Sequence, residues 1–199
     1  WAHQPSGSFA ANAAWAVLAA ITHNLLSAAG TLTDVARYAV FLADRLGLDH
    51  ELRHTIHLAG LLHDIGKIGI PLEYLTKPGP LTTEEYAEVK RHSAISYDIC
   101  RPLRTMAPLL TLIRGHHERL DGKGYPDGLR GAELPLVLRC LSIADIYDAL
   151  TSKRSYREAM DPEKALATDH YLVADQASIG LDITRLRVDV EEFLADVGH

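Results

Sequence analysis

Apolar residues recur every three or four positions along most of the chain, which is the spacing of one helix face. The segment TDVARYAVFLADRLG, which stops at a glycine, carries such a stripe: Val35, Tyr38, Phe41, Leu42 and Leu46. The segment HELRHTIHLAGLLHDIG repeats the pattern at Ile56, Ala59, Leu62 and Ile65. Strand-like alternation is nearly absent. The pattern therefore predicts an all-α fold.

Capping and proline signals place the remaining helices. Thr82 and Glu85 form a capping-box pattern, which predicts one helix that carries His92 and continues to the next proline. Pro108 and Pro135 suit the first turns of two later helices. The segment IGIPLEYLTKPGPL is interrupted by prolines, and GKGYPDGLRG is rich in glycine, so both are expected to be loops. The sequence thus predicts a single helical bundle with one long functional loop.

Composition limits the class of protein. The 199 residues are enough for one well-buried domain, and 47% hydrophobic with 23% charged residues is typical of a globular chain. No apolar stretch reaches the length of a membrane span. A net charge of −6 argues against a DNA-binding protein. Cys100 and Cys140 lie in apolar segments with no pairing pattern, which suits a reducing cytoplasm, and we expect that location.

The domain boundary is expected near Gly30. We assign residues 1–30 to an N-terminal helix or linker and residues 31–199 to the domain. The stretch FAANAAWAVLAA is expected to pack on the core of its own chain. Its pairing in a homodimer and the transmission of a signal from an upstream sensor domain both stay open.

Imidazoles and carboxylates stand at several separate positions that a helical bundle brings together. They are His63, Asp64, His92, His116, His117 and Asp145. These groups are the ligands of first-row metals, and a carboxylate is able to bridge two ions. Neighbouring residues on a helix diverge by about 100°, so adjacent ligands serve a cluster better than a single ion. An ionisable residue on an apolar face is costly unless it is paired or ligated. The set therefore favours a site for more than one metal.

Several motifs in order resemble one family. LLHDIGKIGIP resembles the His-Asp signature of HD-domain metal phosphohydrolases, and HHERLDGKGYPDGL resembles the extended signature of the HD-GYP subfamily. The similarity continues through KPGPLTTEEYAEVKRHS and ADIYDALTSKRSYREAM, and covers roughly residues 31 to 170. The resemblance implies a helical HD domain with a GYP loop that binds two or three iron or manganese ions. It also implies hydrolysis of the bacterial second messenger cyclic di-GMP to pGpG or GMP, in signalling that involves a sensor domain or a diguanylate cyclase partner.

The resemblance also implies roles for individual residues. The metal ligands would be His63, Asp64, His92, His116, His117 and Asp145. Asp64 and Lys67 would be the catalytic pair, with Asp64 bridging the ions and Lys67 stabilising charge on the scissile phosphate. Lys67, Tyr125, Arg154 and Arg157 would bind the substrate. His116 and His117 are assigned to one ion, and His63, Asp64 and Asp145 to the other.

The chain departs from the family pattern at its N-terminal ligand. Thr31 stands where the family has a histidine, and Ser27 stands where trinuclear members have a glutamate. Both hydroxyls are weak ligands. His23 would have to reach about 12 Å along the helix axis, so it is no simple substitute. We therefore expect two divalent ions, Fe or Mn, with one ion short of a protein ligand.

Three functions follow from this pattern. The first is a metal-dependent cyclic di-GMP phosphodiesterase. The second is a catalytically silent cyclic di-GMP receptor or protein-docking module. The third is an HD hydrolase of another cyclic dinucleotide. The enzyme is favoured because unligated buried His and Asp groups would be costly to retain.

Overall fold

The computed structural model describes residues 33–152, 158–161 and 164–165. In these ranges the α-helices are α1 (33–45), α2 (His50–Leu62), α3 (Leu72–Leu75), α4 (Thr83–Lys90), α5 (His92–Cys100), α6 (Leu110–Gly115) and α7 (Leu136–Thr151). Short 3-10 helices cover Ile65–Gly69, Arg104–Leu109 and Gly131–Glu133. These ranges contain no strand, only an isolated bridge between Asp121 and Arg130. The all-α prediction is confirmed.

Three helices begin at residues whose side chains favour a helix N-terminus. Asp49 caps α2, because its side chain accepts a hydrogen bond from the Leu52 amide at 2.8 Å. The predicted capping box of Thr82 and Glu85 is present at the start of α4. Pro135 directly precedes α7. Capping chemistry therefore fixes the frame on which the later side chains are placed.

The structure corrects two boundaries around His92. The predicted single helix is two helices, α4 and α5, separated at Arg91. The side chains of His92 and Ser93 bond to the carbonyl oxygens of Val89 and Lys90, which in a continuous helix would accept from the amides four residues later. Sequence periodicity does not register this competition. The break places His92 at the first position of α5.

Two further segments differ from the prediction. Pro108 lies inside the 3-10 helix Arg104–Leu109, and α6 begins at Leu110. The segment 68–81, predicted as a loop, contains the short helix α3 and part of a 3-10 helix. Such single turns are too short to leave a periodic pattern.

The core lies along α7. Its buried side chains include Leu138, Leu141, Ile143 and Ala144, and they pack with residues of α1 and α2. Cys100 and Cys140 are free and buried, as expected from the sequence. No helix in the described ranges is both long enough and apolar enough to cross a membrane. The core thus holds α7 in the middle of the fold, with Asp145 on it facing the ends of α2 and α6.

Candidate metal centre

Four helix ends and one helix interior meet at a single point. His63 follows α2 and Asp64 precedes the next 3-10 helix, while His92 opens α5. His116 and His117 follow α6 directly. The structure therefore brings together all the sequence-predicted ligands: His63, Asp64, His92, His116, His117 and Asp145.

Three imidazole nitrogens lie close together. His92 Nε2 lies 3.2 Å from His116 Nε2 and 3.2 Å from His117 Nε2. Two groups of three residues have ligand atoms within 4.8 Å of one another, and His116 belongs to both: His92, His116 and His117; His63, Asp64 and His116. This grouping differs from the one drawn from the sequence, where His116 served one ion alone. In the structure, His116 instead belongs to both groups of candidate ligands.

Carboxylates close the cluster from two sides. Asp64 Oδ1 lies 3.2 Å from His92 Nε2, and Asp64 Oδ2 lies 3.4 Å from His63 Nε2. Asp145 reaches both groups, with one oxygen 3.6 Å from His63 Nε2 and the other 3.7 Å from His117 Nδ1. Each carboxylate therefore spans the gap between the two groups of ligands.

Main-chain carbonyls orient three of the imidazoles. The Nδ1 atoms of His63, His92 and His116 each lie 2.7 Å from the carbonyl oxygen three residues earlier in the chain. A carbonyl oxygen only accepts, so each Nδ1 carries a hydrogen and Nε2 is the ring nitrogen directed at the cluster; in a neutral ring that nitrogen has a lone pair. Such outer bonds fix the tautomer that a metal requires.

The donor set fits divalent cations. Lone pairs on His92 Nε2 and His116 Nε2 face each other at 3.2 Å and cannot hydrogen-bond to one another while both rings are neutral. Asp64 Oδ1 is buried without a hydrogen-bond partner. A buried acceptor without a partner is costly, and a cation between these atoms removes that cost. Nitrogen and oxygen donors in this mixture suit ions such as Fe, Mn or Zn.

The protonation states agree with this arrangement. Burial lowers the pKa of His92 and of His116, so both are neutral at pH 7. Burial also lowers the pKa of His117, to about 4. Burial opposes charge on His63 as well, but the Asp64 charge and the bonds to Asp145 and Asp64 outweigh it and raise the pKa of His63 to about 10. Without an ion, a proton on His63 thus offsets the carboxylates.

Lys67 stands beside the centre. Its ammonium pairs with Asp64 Oδ2, and its side chain is partly exposed. Burial would raise the pKa of Asp64, but the positive charges of His63 and Lys67 hold that pKa well below its usual range. Lys67 is therefore a partly exposed cation that pairs with the candidate ligand Asp64.

Tyr125 forms one wall of the centre. Its ring lies 4.7 Å from the His117 ring, and its amide donates to the His117 carbonyl at 3.2 Å. The Tyr125–Pro126 peptide bond is cis. Gly124 packs against the chain so closely that a Cβ there would lie 2.5 Å from the Glu118 Cα atom. The glycine loop thus holds the tyrosine ring against a candidate ligand.

Sequence reasoning missed Glu118. Its side chain is 2% exposed, and its carboxylate accepts hydrogen bonds from the amides of Asp127 at 2.5 Å, Gly128 at 3.0 Å and Leu129 at 3.0 Å. The signal in the sequence was an acidic residue directly between two histidines and a glycine-rich loop. Glu118, which directly follows His117, therefore anchors the main chain of residues 127–129 in the loop.

Ser96 was missed as well. Its hydroxyl donates to the His63 carbonyl at 2.7 Å and accepts from the Gly66 amide at 2.8 Å. A Cβ on Gly66 would lie 2.1 Å from the His92 carbonyl oxygen. The turn that carries His63 and Asp64 is thereby packed directly on the start of α5.

Some predicted residues lie outside the described ranges. They are the expected substrate contacts Arg154 and Arg157, the substituted ligand positions Thr31 and Ser27, and His23. The division of the chain at residue 30 falls there as well, and it stays a prediction.

Comparisons with known proteins agree with these motifs. A family model described as an HD domain matches residues 16–177. The cyclic di-GMP phosphodiesterase response regulator RpfG of Xanthomonas campestris pv. campestris is 42% identical over 151 residues, which are 74% of this chain and 39% of the relative. The 3′3′-cGAMP-specific phosphodiesterase 3 of Vibrio cholerae is 42% identical over 139 residues, which are 70% of this chain and 30% of the relative.

A solved structure has the same fold. It is Bd1817, an HDG"Y"P protein from Bdellovibrio bacteriovorus, with a TM-score of 0.62 and 21% sequence identity over 76% of this chain and 51% of that one. The chain spans between three tenths and two fifths of the length of the two curated relatives. The match to the family model covers most of the chain and includes every candidate ligand described above. The chain therefore belongs to the HD-domain family, and the HD-GYP resemblance predicted from its motifs is confirmed.

Proposed function

We propose that this chain is a metal-dependent phosphodiesterase that hydrolyses a cyclic dinucleotide, with cyclic di-GMP as the first candidate. The observation that carries the proposal is the shared position of His116 between two groups of candidate ligands. Two neighbouring ions suit the hydrolysis of a phosphodiester, since a pair of metals is able to stabilise both the oxygen that attacks phosphorus and the oxygen that leaves. The names of the curated relatives, which are cyclic di-GMP and 3′3′-cGAMP phosphodiesterases, support the same class of substrate.

The proposed ligand roles are supported by the grouping of the side chains. His92, His116 and His117 would hold one ion, and His63, Asp64 and His116 the other, with Asp145 next to both groups. Bound divalent ions supply Lewis acidity toward a phosphoryl oxygen and lower the pKa of water. Two Fe or Mn ions agree with the mixed imidazole and carboxylate donors. Thr31 adds only a weak hydroxyl where the family has its first histidine, so the proposed site is binuclear.

The remaining side chains would act on the phosphate and the shape of the site. The Lys67 ammonium, paired with Asp64, would offset negative charge that develops on the phosphoryl oxygens. Burial raises the pKa of the Tyr125 hydroxyl, so this residue shapes and contacts the ligand and does not donate a proton at neutral pH. Arg154 and Arg157 are proposed to contact the substrate on the strength of their motif position. The departing 3′ oxygen would take its proton from water.

A second substrate deserves a direct comparison. Because one relative is named as specific for 3′3′-cGAMP, this dinucleotide is the alternative to cyclic di-GMP. Both substrates carry the same phosphodiester linkage, so the metal centre accommodates either. Discrimination would come from residues that contact the bases.

Product analysis tests this proposal. Protein purified without chelator is reloaded anaerobically with Fe(II) or Mn(II) and incubated with each dinucleotide. We expect conversion to the linear dinucleotide or to mononucleotides, and its loss in Asp64→Asn and in His63→Ala. Binding of cyclic di-GMP without product under either metal would contradict the enzyme and favour a silent receptor. The products pGpG and GMP are resolved in the same chromatogram.

A further inference from the structure

Lys90 places a cation over two aromatic rings at the edge of the metal centre. It is the last residue of α4, two positions before His92. Its Nζ atom lies 4.9 Å from the centre of the Tyr86 ring and 5.7 Å from the centre of the Tyr125 ring. Among the described residues no carboxylate forms an ion pair with it. Its charge is therefore held by ring faces rather than neutralised.

The Tyr125 ring is close both to the metal centre and to this cation. One neighbour of the Tyr125 ring is His117, 4.7 Å away, and Lys90 is another. The Tyr125 ring thus neighbours both Lys90 and the candidate ligand His117. The Tyr86 ring is 48% exposed, and Lys90 itself is partly exposed. The cation therefore borders the solvent-facing rim of the centre, where a bound ligand is able to reach it.

A cyclic dinucleotide bound at the metal centre has a second phosphate, which favours a cationic side chain close to the ions. It carries two phosphates in one small macrocycle, so a ligand with one phosphate at the ions must hold the other phosphate close by. Lys67 already pairs with Asp64 at the centre. The described side chain that offers an unneutralised charge beside Tyr125 is Lys90.

Resting on the proposed function, we propose that Lys90 binds the phosphate that is not cleaved. An ammonium is a compact point charge suited to a phosphate oxygen, and the bond is charge-assisted. Tyr86 positions the ammonium through its ring face and keeps the lysine side chain directed toward Tyr125. The subsite selects ligands with two phosphates over those with one.

A purely structural role for Lys90 makes different predictions. A lysine in the last turn of a helix favours the helix dipole, and Lys90 stands in the last turn of α4. That role predicts a lower melting temperature and an equal effect on every substrate. Binding of the second phosphate predicts instead an effect confined to dinucleotides.

The experiment compares Lys90→Gln with Arg91→Gln in the metal-loaded protein. Arg91 is the matched control, because it is the adjacent cation, is 63% exposed and pairs with Glu88. Lys90→Gln is expected to raise KM for cyclic di-GMP about tenfold and leave kcat unchanged. Hydrolysis of bis(4-nitrophenyl) phosphate, which has a single phosphate, stays the same. Arg91→Gln changes neither reaction.

Two further comparisons identify the group that is recognised. Cyclic di-AMP is expected to lose affinity by the same factor as cyclic di-GMP, because the two share phosphates and differ in their bases. An effect on one dinucleotide alone would overturn the phosphate assignment in favour of a base contact. Tyr86→Leu should raise KM in the same direction, and Tyr86→Phe should restore it because phenylalanine keeps the ring face.

The results separate this inference from the proposed function. Equal losses with both the dinucleotide and the single-phosphate substrate, or no change in either, would overturn the subsite. If the wild-type protein cleaves neither diester, the phosphodiesterase proposal fails. Equilibrium binding of cyclic di-GMP to the metal-loaded protein then tests Lys90 directly. Equal affinity of the wild-type protein and Lys90→Gln, or no binding by the wild-type protein, would overturn the subsite.

Discussion

The Ser96 hydroxyl donates to the main-chain carbonyl of His63 at 2.7 Å, and both groups are buried. The same oxygen accepts from the Gly66 amide. One small side chain on α5 thus satisfies two main-chain groups of the turn that carries the His-Asp pair. These hydrogen bonds join the turn that carries His63 and Asp64 to α5, the helix that carries His92, without any ion.

The close approach at Gly66 predicts a large cost for a methyl group. Gly66→Ala puts a Cβ against the main chain of α5, with 2.1 Å to the His92 carbonyl oxygen, and the backbone has to move. We expect the free energy of unfolding to fall by about 3 kcal/mol. Gly69→Ala is the matched control, because its Cβ would meet only the Ile95 side chain, at 3.1 Å, and should cost less than about 1 kcal/mol. Urea denaturation of both variants measures the difference, and equal stabilities would contradict the packing described here.

Glu118 predicts a local change in the GYP loop. In Glu118→Gln the remaining oxygen still accepts two amides, but the new NH2 group faces the Leu129 amide, which loses its acceptor. We expect amide hydrogen exchange to accelerate at Leu129 first. Glu118→Ala removes the acceptor for all three amides and should destabilise the protein by about 3 kcal/mol.

Glu133→Gln is the control for the loop. Glu133 is exposed and accepts one hydrogen bond from the Arg130 amide. Its substitution should leave exchange at residues 127–129 unchanged. If the Leu129 amide exchanges as slowly in Glu118→Gln as in the wild-type protein, the carboxylate does not hold the loop.

The His63 proton predicts a pH dependence of metal binding. The raised pKa of His63, about 10, means that the metal-free protein holds this proton at neutral pH, and a metal must displace it. The pKa of His117, about 4, excludes a second proton from that ring above pH 6. Apparent affinity should therefore rise about tenfold per pH unit between pH 7 and 9. In the metal-free protein, stabilisation by this proton is complete below pH 6.5 and is lost as the pH rises through about 10.

Calorimetry in buffers of different ionisation enthalpy counts the protons released. One proton per ion bound on the His63 side is expected at pH 8. An affinity that does not change over this range would show that His63 is neutral before the metal binds.

Metal removal should lower thermal stability. An ion present at a thousandfold excess over its dissociation constant stabilises the folded state by about 4 kcal/mol. For a chain of this size the melting temperature should fall by roughly 10 °C after chelation. His116→Ala, which removes the side chain common to both groups, should melt at one temperature with and without chelator, whereas the exposed His54→Ala should behave like the wild-type protein. A chelator-independent melting temperature in the wild-type protein would argue against tight metal binding.

Periodicity and capping chemistry predicted the fold well. The helical stripes ending at Gly47 and near His63 correspond to α1 and α2, and the Thr82 capping box begins α4 as expected. The candidate ligands lie together because helix ends and the middle of α7 meet there. The break at Arg91 was missed, because it depends on side chains that compete for main-chain carbonyls, and periodicity carries no trace of this competition.

The finer organisation of the centre required coordinates. Which atoms share an ion depends on three-dimensional distances, so His116 could not be assigned to both groups from spacing along the chain. Glu118 and Ser96 act through main-chain amides and carbonyls, and sequence letters do not show those partners. LTTEEYAEVKR reads as a solvated helix face, yet Lys90 in it lies over the Tyr125 ring.

We propose that two ions share His116, and a metal count tests this sharing most directly. Bound metal per chain is measured by mass spectrometry after reloading and desalting, for the wild-type protein, His116→Ala and the control His54→Ala. Two ions in the wild-type protein and in the control, with fewer than one in His116→Ala, is the predicted result. A wild-type protein that holds one ion or none, or a His116→Ala variant that keeps two, would contradict a shared ligand.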